Sequence, residues 1–365
     1  MEKLIFKATS PWFKKRLKEL VDPYLKKYGS TGTHVLHTKA WIFMSLWAIS
    51  YFVLATTNLP LFFSILLLMF FGAVIAGIGF NLMHDGGHES FSEKGWINDA
   101  MGFWLNILGG NIRIWKIKHN VVHHTYTNVH GYDTDISIPF IARLHPSQKW
   151  KPWMKFQHVY MWLVYGVFGY LTWIWYSDFA NYFNGRVGPA KLNFKIKDHF
   201  IFWLSKVLHV AIFILMPHYF FGYSWTEVFV AYGIIAFSVG LIISTVFQLA
   251  HVVDLTDMVD TPASLGMEHN VIPHENAVHQ ILTTANFAPN SKFWRWYAGG
   301  LNRQIEHHLE HKISHDRYPE ISVFVKQVCK EGNLPYNEFP TFWDALYSHY
   351  VVLKKLGKKP NPQLV

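Results

Sequence analysis

Residues 60–88 read PLFFSILLLMFFGAVIAGIGFNLMHDGGH, a long apolar run that ends in two histidines. The 24 residues Pro60–Met83 carry no charge, and about 20 apolar residues are enough for a helix to cross a bilayer. The run ends directly at His84 and His88, which lie on one face of a helix because they are four residues apart. The stretch therefore predicts a membrane span that presents two imidazoles at one membrane surface.

Three further apolar runs predict three more spans. The run 200–223 contains one charge, Lys206, whose long side chain can extend to an interface. The run 228–250 ends directly at His251. Very short connections join the first span to the second and the third to the fourth, so we predict two helical hairpins. The predicted spans are Trp41–Thr57, Pro60–Met83, Phe200–Tyr223 and Val228–Ala250.

Composition and charge support a membrane protein. Hydrophobic residues make up 51% of the chain and charged residues 16%, whereas soluble domains average about 25% charged residues. Of the 33 Lys and Arg residues, 32 lie outside the four predicted spans. By the positive-inside rule, both termini and the central loop are predicted to be cytoplasmic. The net charge of +9 is then explained by topology and an anionic inner leaflet, without nucleic acid as a partner.

Two other apolar stretches do not fit as spans. If Phe156–Ser177 crossed the membrane, the second and third histidine clusters described below would lie on opposite sides. We interpret it as an interfacial or re-entrant helix rich in Trp and Tyr. Ala100–Ile112 is too short to span and is predicted to pack on the membrane surface or under the site. The single cysteine, Cys329, excludes an internal disulfide and a thiolate cluster.

The predicted fold is one domain over residues 1–365, all-α and integral to the membrane. It has a cytoplasmic segment 1–40 and four transmembrane helices in two hairpins. A cytoplasmic helical cap, built from residues 84–199 and 251–365, holds a histidine-rich dimetal site.

Two more histidine clusters follow the first. They are His119-Asn-Val-Val-His123-His124 and Gln304-Ile-Glu-His307-His308, again with helical spacing. Seven histidines and Gln304 exceed the needs of one tetrahedral ion, so the pattern predicts two metals or one crowded ion. Imidazole suits Zn, Cu, Fe and Ni, so the ligands alone leave the metal open.

Other histidines and several acidic residues are candidates for further metal ligands or for hydrogen-bond partners of the ligands. His251, at the end of a span, is predicted to be a ligand, and His279 is a weaker candidate. The remaining candidates are loop residues or partners that support the ligands: His130, His145, His269, His274, His311 and His315. Carboxylates that could accept a hydrogen bond from a ligating imidazole are Asp85, Glu89, Asp133, Asp135, Asp254 and Glu306. Gly86 and Gly87 allow a close helix approach or mark a turn.

These residues resemble the membrane fatty acid desaturase family, in which three histidine boxes surround a di-iron centre. The resemblance covers about residues 40 to 325. The Gln that opens the third box is typical of front-end desaturases, which act between an existing double bond and the carboxyl end. The stretches Thr283–Asn290 and Gly300–Gln304 are similar to that subgroup, and His251 resembles the family's extra ligand.

The resemblance implies two iron ions, O₂ as co-substrate, and a fatty acyl-CoA or acyl-lipid substrate. The implied ligands are His84, His88, His119, His123, His124, His251, Gln304, His307 and His308. Gln304 would either bind metal weakly or orient water. The bacterial inner membrane is the expected location.

One departure from the family pattern concerns electron supply. Many front-end desaturases carry a fused cytochrome b5-like domain with a His-Pro-Gly-Gly loop, which this sequence lacks. A separate donor, a ferredoxin or a cytochrome b5-like protein with a reductase, is therefore expected.

Two alternative functions stay open. The same scaffold supports a hydroxylase, a conjugase or a sphingolipid desaturase. A metal transporter or haem-binding membrane protein is a different class, but transporters place ligands near the membrane midplane, and here the ligands follow the span ends.

Overall fold

The computed structural model describes residues 4–7, 11–138, 140–260 and 271–360, and it is mostly helical over these ranges. Outside the long apolar helices, the α-helices are Trp12–Tyr28, Gly95–Ile107, Ile112–Lys116, His124–Tyr126, Gln157–Leu171, Asp178–Asn184, Asn276–Thr283, Lys292–Tyr297, Gln304–Leu309, Tyr318–Glu331 and Phe342–Leu356. Short 3₁₀ turns occupy Thr134–Ile136, Pro152–Phe156 and His315–Arg317.

Strands are confined, within the described residues, to three two-residue pairs. Ile5–Phe6 runs parallel to Val271–Ile272, and Asn286–Phe287 runs parallel to Glu338–Phe339. Arg186–Val187 pairs antiparallel with Ala190–Lys191. These pairs tie loops together and do not form a layer.

Four helices of the described chain are long and apolar enough to cross a membrane, as the sequence predicted. We call them spans 1 to 4: His34–Thr56, Leu61–Gly87, Ile196–Tyr219 and Trp225–His251. Span 2 is α-helical from Leu61 to Ile78, passes through a π-helical turn at Gly79–Met83, and ends with the α-helical turn His84–Gly87. Span 3 likewise contains a π-helical turn at Ala211–Leu215.

The helices that contain the predicted spans begin or end up to seven residues from the predicted span limits, because hydropathy does not record helix caps. Span 1 begins at His34, where the Thr33 hydroxyl accepts a hydrogen bond from the backbone N–H of Val35. Span 4 begins at Trp225 because Ser224 and Glu227 form a capping box. Span 3 ends at Tyr219, four residues before the predicted end.

Spans 1, 2 and 4 share one apolar core. It includes Phe43 from span 1, Phe71 and Ile75 from span 2, and Val239 from span 4, all buried. A Cβ atom on Gly72 of span 2 would lie 2.6 Å from the Cβ of Ser238 in span 4. Glycine at this position therefore allows the two helices to approach closely.

The stretch 156–177 is helical but is not among the four span candidates of the described chain. Helix Gln157–Leu171 continues through a π-helical turn, Thr172–Ser177, into Asp178–Asn184. It packs closely on span 4, where a Cβ on Gly240 would lie 2.5 Å from the carbonyl oxygen of Tyr165. Its interfacial position in the bilayer stays a prediction.

Span 3 is held to this helix by a buried ion pair. The Lys206 ammonium lies 3.0 Å from a carboxylate oxygen of Asp178 and donates to the carbonyl oxygens of Gly109 and Ile174. Both side chains are buried. Lys206, which the sequence suggested would extend to an interface, instead points into the protein.

The N-terminal helix and the segments after span 4 form a second core. Phe13, Leu17 and Val21 of Trp12–Tyr28 pack against the buried residues Ile321 and Val325 of Tyr318–Glu331. Helices Asn276–Thr283 and Gln304–Leu309 also contribute to this core. The third histidine cluster is thus mounted on packed helices instead of on a free loop.

Candidate metal centre

The first cluster continues span 2. His84 begins the last helical turn of the span, and His88 follows as its C-terminal cap. A Cβ on Gly86 would lie 2.6 Å from the backbone nitrogen of Gly102 and 2.7 Å from the carbonyl oxygen of Asn98. Gly86 therefore permits helix Gly95–Ile107 to pack under the cluster, which confirms the close approach predicted for this glycine.

The second cluster lies on a π-helical turn, so the α-helical spacing predicted for it was wrong in detail. Asn111 caps the helix Ile112–Lys116, and the chain then widens into the π-helical turn Ile117–His123. In a π-helix the backbone bond joins residues five apart, as His119 and His124 are. Their Nε2 atoms lie 3.3 Å apart, which indicates that both nitrogens face the same point.

The third cluster is oriented by its own buried glutamate. Glu306 accepts hydrogen bonds from the Asn286 amide at 2.9 Å and from the Tyr336 hydroxyl at 2.7 Å. Asn286 also accepts from the backbone N–H of Ile305. With Glu306 held on one side, the helix Gln304–Leu309 turns His307 and His308 toward the other clusters.

The structure brings these histidines into two groups that are suited to metal ions. Within each group the ligand atoms lie within 4.8 Å of one another. One group is His84, His88, His119 and His307, and the other is His123, His251 and His308. The inclusion of His251, at the end of span 4, supports its predicted role.

His124 lies between the two groups. Its ring centroid is 4.4 Å from that of His308 and 4.7 Å from that of His307. The Oε1 atom of Gln304 is buried without a hydrogen-bond partner, and the residue lines a cavity beside His84.

Orphaned nitrogen atoms show that the site fits metal ions. Among the described residues, buried ring nitrogens without a hydrogen-bond partner occur on seven of the clustered histidines: His84, His88, His123, His124, His251, His307 and His308. A buried polar atom without a partner is costly. Metal coordination would satisfy one nitrogen on each of these residues.

The environment favours neutral imidazole, the form that binds metal. Burial, reinforced by the neighbouring imidazoles, lowers the pKa of five clustered residues well below the ordinary value: His88, His119, His124, His307 and His308. Burial also acts on the pKa of His123, but the carboxylates of Asp133 and Asp135 outweigh it and raise the pKa.

Four ligand candidates are oriented through Nδ1, which leaves Nε2 free. His123 Nδ1 lies 3.1 Å from an oxygen of Asp133, as the sequence suggested. His308 Nδ1 lies 2.8 Å from Gln280 Oε1, and His307 Nδ1 lies 3.1 Å from the Tyr318 hydroxyl. His251 Nδ1 faces the carbonyl oxygen of Thr283 at 3.4 Å. Gln280 and Tyr318 were not expected, because no spacing rule links them to the clusters.

The other predicted carboxylates divide between the site and the surface. Asp85 accepts from His315 Nδ1 at 2.8 Å, so both residues support the first cluster. Asp135 lies 2.5 Å from Lys118 Nζ and 3.9 Å from His123 Nδ1. Glu89 is exposed, and Asp254 instead contacts Ser348.

The remaining histidine candidates lie in different surroundings. His279 Nε2 is 2.9 Å from the carbonyl oxygen of Thr127, and the residue is in neither group. His130 stacks on His145, away from the clusters. His274 is in neither group, and His269 lies outside the described residues. His311, expected to be a loop or supporting residue, contacts both His88 and His124.

A cavity of about 540 Å³ opens beside the clusters. His84, His119 and Gln304 form its wall at the metal site. A polar rim next to that wall consists of Lys118, Thr134, Asp135 and Ser137. The rest of the wall is largely apolar and runs between the helix 157–177 and span 4. Phe247 lies against His123 and His251, and the wall continues with Val164, Phe168, Gly169 and Ile243.

A second cavity of about 660 Å³ lies on the opposite face of span 4. It is lined by Leu241, Ile242 and Thr245 of span 4, and by Phe43, Trp296 and Phe342. None of the clustered histidines lines it.

The fold and the site define a class of protein: a helical membrane protein with a buried polyhistidine site that opens into an apolar cavity. Comparison with known proteins places it more narrowly. The family model for fatty acid desaturases matches residues 56–340, and the chain belongs to this family. It is an oxidoreductase that desaturates fatty acyl chains.

Three relatives illustrate the similarity. The chain is 32% identical to the sn-1 linoleoyl-lipid 6-desaturase of Synechocystis sp., over 95% of this chain and 96% of that protein. It is 31% identical to the protein of the same name from Arthrospira platensis, over 97% and 95%. The acyl-lipid (8-3)-desaturase of Physcomitrium patens is 35% identical over 80% of this chain, which covers 61% of that longer protein.

Proposed function

We propose that this desaturase introduces a cis double bond between an existing double bond and the carboxyl end of an acyl chain. The observation that carries the proposal is the cavity, in which a polar rim, the clustered histidines and a long apolar wall follow one another. Two substrate electrons and two external electrons reduce O₂ to water. Iron held by the clustered histidines would activate O₂ to an oxidant that can remove hydrogen from unactivated methylenes, which no side chain can do.

The proposed iron ligands are the histidines of the two groups, together with His124 and Gln304. His84, His88, His119 and His307 would hold one ion, and His123, His251 and His308 the other. His124 is close enough to both groups to complete either. Imidazole donors suit iron, and the orphaned nitrogens support these residues over His279, whose nitrogen already has a partner.

The cavity supports a defined direction for the substrate. The ester or thioester end of the acyl chain would lie at the polar rim, where Lys118 and Asp135 are next to the second cluster. The methyl end would lie between the helix 157–177 and span 4, along Phe168 and Ile243. Because the rim adjoins the histidines, oxidation would occur near the carboxyl end, as front-end regioselectivity requires.

Membrane lipid is the preferred acyl carrier. The two cyanobacterial relatives are named as linoleoyl-lipid desaturases, and they match almost the whole chain. A linoleoyl chain already carries double bonds beyond the expected site, so it suits a front-end enzyme. Acyl-CoA is the alternative carrier, and it would place its phosphates on the basic cytoplasmic surface.

The proposed topology places both termini and the clusters in the cytoplasm of a bacterial cell. The concentration of Lys and Arg outside the spans supports this orientation, and the clusters then lie at the inner-membrane surface. Electrons would come from a separate ferredoxin or cytochrome b5-like protein served by a reductase.

Expression of the full chain in a bacterial host fed linoleate would test the proposal. Gas chromatography with mass spectrometry of total lipids is expected to show a product two hydrogens lighter, with its new double bond on the carboxyl side. His124→Ala is expected to abolish the product. His145→Ala is the matched control, since His145 is a buried histidine away from the clusters.

Three outcomes would contradict the proposal. No new double bond from iron-loaded protein supplied with O₂ and a reductant would exclude it. A product that gains an oxygen atom would indicate the hydroxylase alternative. Wild-type activity of His124→Ala would show that the proposed ligand set is wrong.

A further inference from the structure

His311 is a partly buried imidazole at the edge of the histidine clusters. Its ring centroid lies 4.8 Å from that of His124 and 5.1 Å from that of His88, both buried. His311 itself is only partly buried, and it belongs to neither metal-binding group. His119 is also partly buried, but it lines the cavity of about 540 Å³ that is proposed to hold the acyl chain, called here the acyl cavity. His311 therefore offers a short route from the surface to the clusters that does not pass through the substrate site.

Lysines surround this point on the surface. Lys14 and Lys18 are exposed on the N-terminal helix, one turn apart, and Lys312 is exposed directly after His311. Phe13 and Leu17 of that helix belong to the same apolar core as Leu309, two residues before His311, so the helix lies beside the segment that carries the ring.

The three lysines are free to bind a partner. Within the described residues, none of them is in an ion pair, whereas Arg16 on the same helix is paired with Glu19 and Glu331. A cluster of unpaired lysines near the partly exposed His311 ring is complementary to an acidic protein. An anionic lipid surface would also attract lysines, but it would not account for their position above the metal centre.

We propose that Lys14, Lys18 and Lys312, arranged around His311, form the docking surface for an acidic electron-carrier protein. The carrier would transfer its electrons to the metals by way of His311. This inference rests on the proposed function, because it presumes a redox-active metal centre that requires two external electrons.

A charge-reversal experiment tests the surface with iron-loaded full-length protein in neutral lipid nanodiscs. The probe is a reduced, acidic [2Fe–2S] ferredoxin, and its oxidation is followed by stopped-flow absorbance. Lys14→Glu/Lys18→Glu is expected to lower the second-order rate constant at least about 10-fold at low ionic strength, the scale of electrostatic steering. Added salt is expected to reduce the difference from wild type.

The matched control is Lys26→Glu/Lys27→Glu, the same charge change in the last turn of the same helix. It is expected to stay within twofold of wild type. Equal rates for the two double variants would overturn the docking surface. A defect that appears only in nanodiscs of anionic lipid would also overturn it, since the lysines would then contact the membrane.

His311→Ala tests the route separately. With saturating ferredoxin, its rate of ferredoxin oxidation is expected to fall severalfold, while the iron content and the rate of reduction by dithionite stay unchanged. An unchanged rate, or loss of iron, would overturn the role given to His311. If wild-type protein reduced by dithionite makes no double bond, the proposed function fails. If it does and the two double variants behave alike, only the docking surface fails.

Discussion

The contact between Asp133 and His123 gives a sharp prediction about metal affinity. Asp133 is buried, and its Oδ2 atom lies 3.1 Å from His123 Nδ1 while accepting from the Asn128 N–H at 3.0 Å. Its Oδ1 atom accepts from the Asp135 N–H at 2.9 Å. Asp133→Asn keeps the shape but removes the charge, and its NH₂ group cannot accept from these donors.

The expected size of the effect follows from those contacts. A hydrogen bond to a charged group contributes about 1.5–3 kcal/mol, and about 1.4 kcal/mol corresponds to a tenfold change in affinity. Loss of the bond to His123 should therefore weaken iron binding about 10- to 100-fold, the range seen for partners of metal-bound histidines.

Anaerobic competition between the purified full-length protein and an Fe²⁺ chelator of known affinity would measure this change. Bound iron would be quantified by elemental mass spectrometry. Asp254→Asn is the matched control, because Asp254 contacts Ser348 and is not in a metal-binding group. Equal affinities for the two variants, or an Asp133→Asn affinity within threefold of wild type, would refute the reasoning.

Three further predictions follow from packing. Gly86→Ala places its Cβ against backbone atoms of the neighbouring helix, so it should destabilise the protein by about 1–3 kcal/mol and lower bound iron, checked by thermal unfolding and metal analysis. Ser244→Phe obstructs the acyl cavity and should shift the products toward shorter acyl chains, as measured by gas chromatography. Thr245→Phe is the control, because Thr245 faces the other cavity, and it should leave the product chain lengths unchanged. Lys206→Met leaves Asp178 buried without its partner and should cost about 3–5 kcal/mol, measured by thermal unfolding in detergent.

Each of these predictions has an outcome that contradicts it. If the Gly86→Ala protein is as stable as wild type and binds as much iron, span 2 and helix Gly95–Ile107 can move apart without a cost in stability. Identical product profiles for the Ser244 and Thr245 variants would remove the acyl cavity from the proposed function. An unchanged melting temperature for Lys206→Met would show that the Lys206–Asp178 pair contributes little to stability.

Much of the architecture was predictable from local patterns. Uncharged runs of about 20 residues predict membrane helices without tertiary information, because the bilayer sets their length. The four span candidates were confirmed, but their ends depended on caps such as Ser224 with Glu227. The second cluster also lies on a π-helical turn that its spacing did not reveal.

The partners of the histidines were less predictable. Of the carboxylates near the clusters in sequence, Asp133 and Asp85 do contact histidines of the site, but Asp254 does not. Gln280, which contacts His308, comes from a helix with no recognisable metal-binding spacing. Proximity in sequence therefore identified a partner such as Asp133, but it could not identify Gln280, which comes from a distant helix.

The sequence alone determined the spans, the histidine spacing and the family resemblance, because each depends on residues within a few turns of one another. The tertiary structure was needed to show how seven histidines divide between the two metal-binding groups, with His124 between them. It also showed that His311 belongs at the solvent edge of the site. The physical reason is that these contacts join elements far apart in the chain, and only the packing of the spans and the cap brings them together.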